Sequence, residues 1–149
     1  MKLELETFKT VVASTPLVSI DLIVKNKHGE VLLGERINRP AKAYWFVPGG
    51  RILKDESFEN AFSRLTSIEL GKEYKLQDAK FLGPYQHFYS DNFSGSGFST
   101  HYVVLGYELV IDIDINELPD EQHEAYQWWS VKELLNSDRV HQNTKDYLI

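Results

Sequence analysis

The chain has 149 residues, 42% hydrophobic and 26% charged, with a formal net charge of −6; residues 1–149 therefore read as one soluble domain able to build its own core. It has no cysteine, which excludes disulfides and thiolate metal centres and suits a reducing cytoplasm. No apolar run approaches the roughly 18 residues of a membrane span, the opening MKLELETFKTVVAS lacks a signal-peptide core, and the acidic balance argues against general nucleic-acid binding, although a local arginine cluster would still suffice for a small anion.

In chain order, ETFKTVVAS (6–14) suits a short helix. LVSIDLIVKN (17–26) is rich in β-branched residues and reads as a strand. KHGE (27–30) is a turn into a second strand, VLLGER (31–36), so the two form a hairpin. INRPAKAYW (37–45) is a polar loop, and FVPGGR (46–51) is a short strand ending in a tight Pro-Gly-Gly turn. DESFENAFSRLTSIELG (55–71) is a helix stopped by Gly71. AKFLGPYQHFYS (79–90) and HYVVLGYELVI (101–111) are strands flanking the loop DNFSGSGFST. With Gly95 and Gly97, that loop reads either as a lid or as a plain mobile turn. NFS at Asn92 matches a glycosylation acceptor but carries no weight without secretion. AYQWWS (125–130) is a late strand, and VKELLNS (131–137) opens a final helical region. Strands and helices in this order predict an α/β (α+β) fold, a mixed sheet between helices.

On the 55–71 helix, at about 100° per residue, Phe58, Ala61, Phe62 and Leu65 share one stripe, and Glu69 falls within roughly 20° of Phe58. A carboxylate there faces the sheet and needs a cation, or else frays at the helix end near Gly71 and is solvated. Arg64 lies about 120° around, off the centre of the stripe.

Gly50, Glu56, Arg64, Glu69 and Gly71 fit the frame G-x5-E-x7-R-E-x-x-E-E-x-G. In this the chain resembles the Nudix hydrolases, which cleave nucleoside diphosphates linked to another group. The resemblance implies the Nudix α/β/α sandwich. Two carboxylates of the frame are missing, because Leu65 and Ile68 stand where it has glutamate. With one helix carboxylate left, a multi-metal array is hard to build, whereas one Mg²⁺ completed by other oxygens remains feasible.

STPLVSIDLIV, NRPAKAYWFVPGGR, YQHFYSDNFSGSGFSTHYVVLGYEL and LPDEQHEAYQWW together resemble the GDP-mannose mannosyl hydrolases, an atypical Nudix branch, from about Phe8 to about Asn143. That resemblance implies hydrolysis of GDP-mannose and GDP-glucose at the anomeric carbon, with inversion, to GDP and free sugar. It implies one Mg²⁺ per subunit, with Mn²⁺ as a substitute, held by the Gly50 carbonyl, Glu69 and Gln122. His123 matches the general base, a natural task for imidazole near neutral pH. Arg36, Arg51, Arg64, His87 and Tyr102 match positions near the diphosphate, Asp21 a position near the sugar, and Tyr126 a further substrate contact. The arginines and metal would favour the transition state as charge grows on the leaving oxygen. The branch also implies a cytoplasmic homodimer with no nucleic-acid or membrane partner. Two other functions fit the same residues: a conventional pyrophosphohydrolase yielding a nucleoside monophosphate and a sugar 1-phosphate, and a non-catalytic nucleotide-sugar binding module.

Overall fold

The computed structural model describes residues 2–119 and 123–149, with the side chains of residues 123 and 124 outside that description. Among the described residues the helices are α1 (Leu5–Ser14), α2 (Phe58–Leu70), α3 (Val131–Asn136) and α4 (Gln142–Lys145). The strands are β1 (Leu17–Lys25), β2 (Val31–Arg36), β3 (Trp45–Phe46), β4 (Gly49–Arg51), β5 (Lys80–Tyr89), β6 (Thr100–Val110) and β7 (His123–Trp129). They form one mixed sheet ordered β3-β2-β1-β6-β5, with β4 also pairing β1 and β7 pairing β2. The long β1–β6 ladder is parallel, from Leu17 opposite Tyr102 to Lys25 opposite Val110.

β1 is the strand around which both layers assemble. Its alternation sends Ile20, Leu22 and Val24 to one face, where they pack with Ala61, Phe62, Leu65 and Leu70 of α2. Ile23 points to the other face, with Val31 and Leu33 of β2, Leu134 of α3, Val140 and Tyr147. Leu22, Ile23 and Val24 are all fully buried, so this half of β1 reads as a continuous hydrophobic run. The β1–β2 hairpin turns at Gly29 (φ 76°), whose N–H donates to the Asn26 carbonyl.

The expected strand at 46–51 is two strands. β3 pairs with β2 and β4 with β1, with Val47 and Pro48 between them. Proline has no N–H for a ladder, so the chain changes partner there, and the Pro48 carbonyl accepts from the Leu22 N–H. The 91–100 loop is internally braced. Asn92 is fully buried, with its amide donating to the Phe98 carbonyl and its Oδ1 accepting from the Ser94 N–H. The NFS match therefore falls on a side chain enclosed by its own turn.

Ser57 caps α2 by accepting from the Asn60 N–H, and Gly71 ends it in the left-handed conformation. Ala61, Phe62, Leu65 and Glu69 all face inward as the stripe predicts, but Phe58 is 51% exposed. Phe58 is the first residue of α2, and helical side chains lean toward the N-terminus, so its ring leans away from the buried body of the helix. Phe62→Ala is expected to lower unfolding free energy by ~3–5 kcal/mol and Phe58→Ala by about 0.5 kcal/mol or less, as read by urea denaturation. Equal losses would refute this placement of α2.

Candidate active site

A cavity of about 440 Å³ opens where β1, β4, β5, β6 and α2 meet. Period-two alternation places Ser19 and Asp21 of β1 on its wall, with His87 of β5 opposite Tyr102 of β6. Arg36 enters from the end of β2, where the β2–β7 register shifts between Glu35 and Arg36. Gly49, Gly50 and Arg51 of β4 and Leu65, Ile68 and Glu69 of α2 complete the wall.

The three arginines divide into two kinds. Arg64 lines the cavity, but its Nε donates to Glu56 Oε2 at 2.7 Å and its Nη2 to Glu56 Oε1 at 2.9 Å and to the Arg51 carbonyl at 2.8 Å. Glu56 in turn accepts the Leu53 N–H. The hydrogen bond from Arg64 holds the Glu56 carboxyl below its usual range, and Glu56 reciprocally raises the guanidinium. Arg64, expected beside a diphosphate, thus lines the cavity while also bracing the turn that follows β4. Arg36 and Arg51 form no ion pair among the described residues. Each guanidinium lies on an aromatic ring, Arg36 over Phe46 at 5.3 Å and Arg51 over Phe8 at 4.6 Å. With no carboxylate engaging either guanidinium among the described residues, their N–H donors are available for phosphate oxygens.

Glu69 is 4% exposed. Burial pushes its carboxyl up to about 7, the nearby Asp21 adds to the rise, and the Gly49 N–H and Arg36 oppose it. The neighbouring Leu65 packs so closely on Gly50 that a Cβ at residue 50 would lie 2.4 Å from its Cδ2. Ile68 sits at the rim, 43% exposed. Hydrocarbon thus occupies both positions where the sequence frame has carboxylates. Among the described residues, no group of three or more His, Cys, Asp or Glu side chains could hold a metal. Glu69 and the Gly50 carbonyl are hard oxygen donors, and a carboxylate destabilised by burial gains from a cation. They fit a single Mg²⁺-type ion completed by water and substrate oxygens, and not a multi-metal array. Gln122, the third expected ligand, lies outside the described residues.

At the cavity floor Asp21 is enclosed by protein yet still reached by solvent. Burial raises its carboxyl to about 7, against a hydrogen bond from Tyr147 and the charge of Arg36. His87 is buried with an unpartnered Nε2. Burial, aided by His141, lowers its pKa to about 4, so at neutral pH it offers a phosphate a dipole and no charge. Tyr102 also lines the cavity, its phenol raised by burial. Tyr126 instead packs against the core beneath α2 and is not a wall residue. His123 pairs through its backbone with Arg36, and its side chain is outside the description. Sequence reasoning passed over Tyr89, which lies two residues from His87 on the same strand face and which alternation alone would place in the cavity. It also missed Tyr147, which has no local signal.

The NUDIX domain family matches residues 15–148. This chain belongs to the Nudix family. It is 38% identical over 118 residues to the low-salt glycan biosynthesis protein Agl8 of Haloferax volcanii, spanning 79% of this chain and 73% of that protein. Its fold is that of the MutT protein from Methanosarcina mazei Go1 (TM-score 0.68, 20% identity, 90% and 91% of the two chains). It also matches the Nudix domain of Shewanella oneidensis NrtR, solved with ADP ribose (TM-score 0.65, 19% identity, 99% and 97%). The expected α/β fold with its mixed sheet is therefore the Nudix fold, and the chain is a Nudix hydrolase of a family that uses divalent metals.

The two raised carboxyls give this Nudix chain a pH dependence of definite sign. Between their ordinary values, 3.8 for Asp21 and 4.5 for Glu69, and about 7, the folded state keeps protons that the unfolded chain has released. Their contribution is full below that window and is lost as pH rises through about 7. His87 acts oppositely between about 4 and 6.5, so the groups separate only by comparison of variants. In chelator, Glu69→Gln is expected to gain stability relative to wild type as pH goes from 5 to 8, measured by urea titration at each pH. A difference independent of pH would refute the burial of this carboxyl.

Proposed function

We propose that this Nudix hydrolase cleaves GDP-mannose and GDP-glucose by water attack on the anomeric carbon, giving GDP and the free sugar with inversion. The observation that carries this reading is the composition of the α2 wall, with Glu69 kept while Leu65 fills the space against Gly50 and Ile68 stands at the rim. Water activation at phosphorus by several metals calls for more carboxylates than this wall supplies. Stabilising a diphosphate leaving group calls for fewer. The relative named for glycan biosynthesis supports a sugar-linked substrate.

On this reading Arg36 and Arg51 hold the diphosphate. Each guanidinium rests over an aromatic ring, and such a held charge meets the charge that grows on the leaving oxygen at little reorganisation cost. Glu69, the Gly50 carbonyl and Gln122 would hold a divalent cation, which when bound supplies further positive charge to the leaving group. Asp21 faces the sugar, and Arg64 holds the end of β4 through the Arg51 carbonyl and the turn after it through Glu56. His123 takes a proton from the attacking water; its backbone pairing with Arg36 on the adjacent strand supports this reading.

Proton NMR of a GDP-mannose digest is expected to show GDP and free mannose with inverted anomeric configuration, while GMP and mannose 1-phosphate would sink the proposal. His123→Ala is expected to lower kcat by about 10²–10⁴-fold, and undiminished turnover would remove His123 as the base. Glu69→Gln is expected to abolish the response of turnover to added Mg²⁺; an unchanged metal titration would remove it as a ligand.

A further inference from the structure

We infer that Tyr147 is a positioning residue for Asp21, seated in a slot that the sheet keeps open with glycine. Tyr147 lies in the short 3-10 turn Asp146–Leu148, 126 positions from Asp21, and its hydroxyl donates to Asp21 Oδ2 at 2.7 Å. Its ring is 9% exposed, packed edge-on to Tyr85 at 4.5 Å and against the core cluster of Ile23, Leu134 and Val140. A residue fixed in this way presents its hydroxyl in one place.

The sheet makes room for this contact. Asp21 has glycine opposite it on both neighbouring strands, Gly49 on β4 and Gly106 on β6. A Cβ at Gly106 would stand 2.9 Å from Tyr147 Cε1, and a Cβ at Gly49 would stand 2.6 Å from Asp21 Oδ1 and 2.4 Å from the Ile20 carbonyl. Neither glycine has the left-handed backbone that favours the residue for conformational reasons, so space is what requires it. One glycine admits the phenol ring and the other admits the carboxylate. The hydrogen bond occupies Oδ2 and sets the torsion of the side chain, which leaves Oδ1, on the Gly49 side, as the acceptor for a ligand hydroxyl. Tyr147 does not line the cavity; it acts on the ligand through Asp21.

The inference rests on the reading of Asp21 as the sugar-facing group. Tyr147→Phe keeps the ring and removes the donor. It is expected to lower kcat on GDP-mannose about tenfold to a hundredfold, the usual weight of a hydrogen bond to a charged group. The inhibition constant for GDP, held by the arginines, is expected to stay within twofold. In the Asp21→Ala background, which leaves the hydroxyl no acceptor at residue 21, the same change is expected to cost less than twofold. A kcat within twofold of wild type, a GDP constant that weakens in parallel, or an undiminished loss in the Asp21→Ala background would each overturn the role of Tyr147. Production of GMP and mannose 1-phosphate by wild-type enzyme overturns the bond assignment and leaves this comparison intact. If wild type leaves GDP-mannose uncleaved, the same contrasts are read from calorimetric binding of GDP-mannose against GDP.

Discussion

A carboxylate on the inward face of a helix is costly to bury, and Glu69 of α2 is buried on that face. Its enclosure is relieved by the Gly49 N–H and the charge of Arg36, and worsened by Asp21 across the cavity. That balance ties together three elements that a helix and a sheet would not otherwise bring into register. β4 must lie close enough to donate a backbone N–H. β2 must end where Arg36 can reach the cavity. α2 must be set at the height where Glu69, and not a neighbour, meets them.

The rest of the local architecture serves that placement. Ser57 and Gly71 define where α2 begins and ends. Leu65 seats the helix on Gly50, at a distance no side chain at residue 50 would allow. The Arg64–Glu56 pair, with its bond to the Arg51 carbonyl, fixes the end of β4 and the turn that follows it. The second layer does comparable work from the opposite face. There α3 and the final 3-10 turn pack on β1 and β2, and Tyr147 reaches Asp21 from the floor. The site is thus built at the junction of two layers, with β1 supplying groups to both.

Local pattern accounts for much of this. The helix, its terminating glycine and the inward direction of Glu69 follow from periodicity, and the box spacing points to the family. Phe58 obeys the same periodicity and yet lies exposed, because a stripe shows direction around the axis and not how far along the axis the packing extends. FVPGGR was legible as extended chain, but its change of partner at Pro48 depends on two other strands. Arg64 has the spacing of a phosphate ligand, and its attachment to Glu56 emerges only when the intervening turn closes.

What the sequence by itself determined is therefore the type and order of elements, the Nudix frame, and the replacement of two of its carboxylates by Leu65 and Ile68. These are properties of residue identity and of spacing within a few turns of chain, where helical and strand periods act. The tertiary structure alone decided that Arg36 and Arg51 remain unpaired among the described residues while Arg64 does not. It alone brought Tyr147 to Asp21 across 126 positions, through room left by Gly106. Such contacts depend on which strands become neighbours and how closely layers approach, and the energy that selects them is collective packing, which no single stretch of chain encodes.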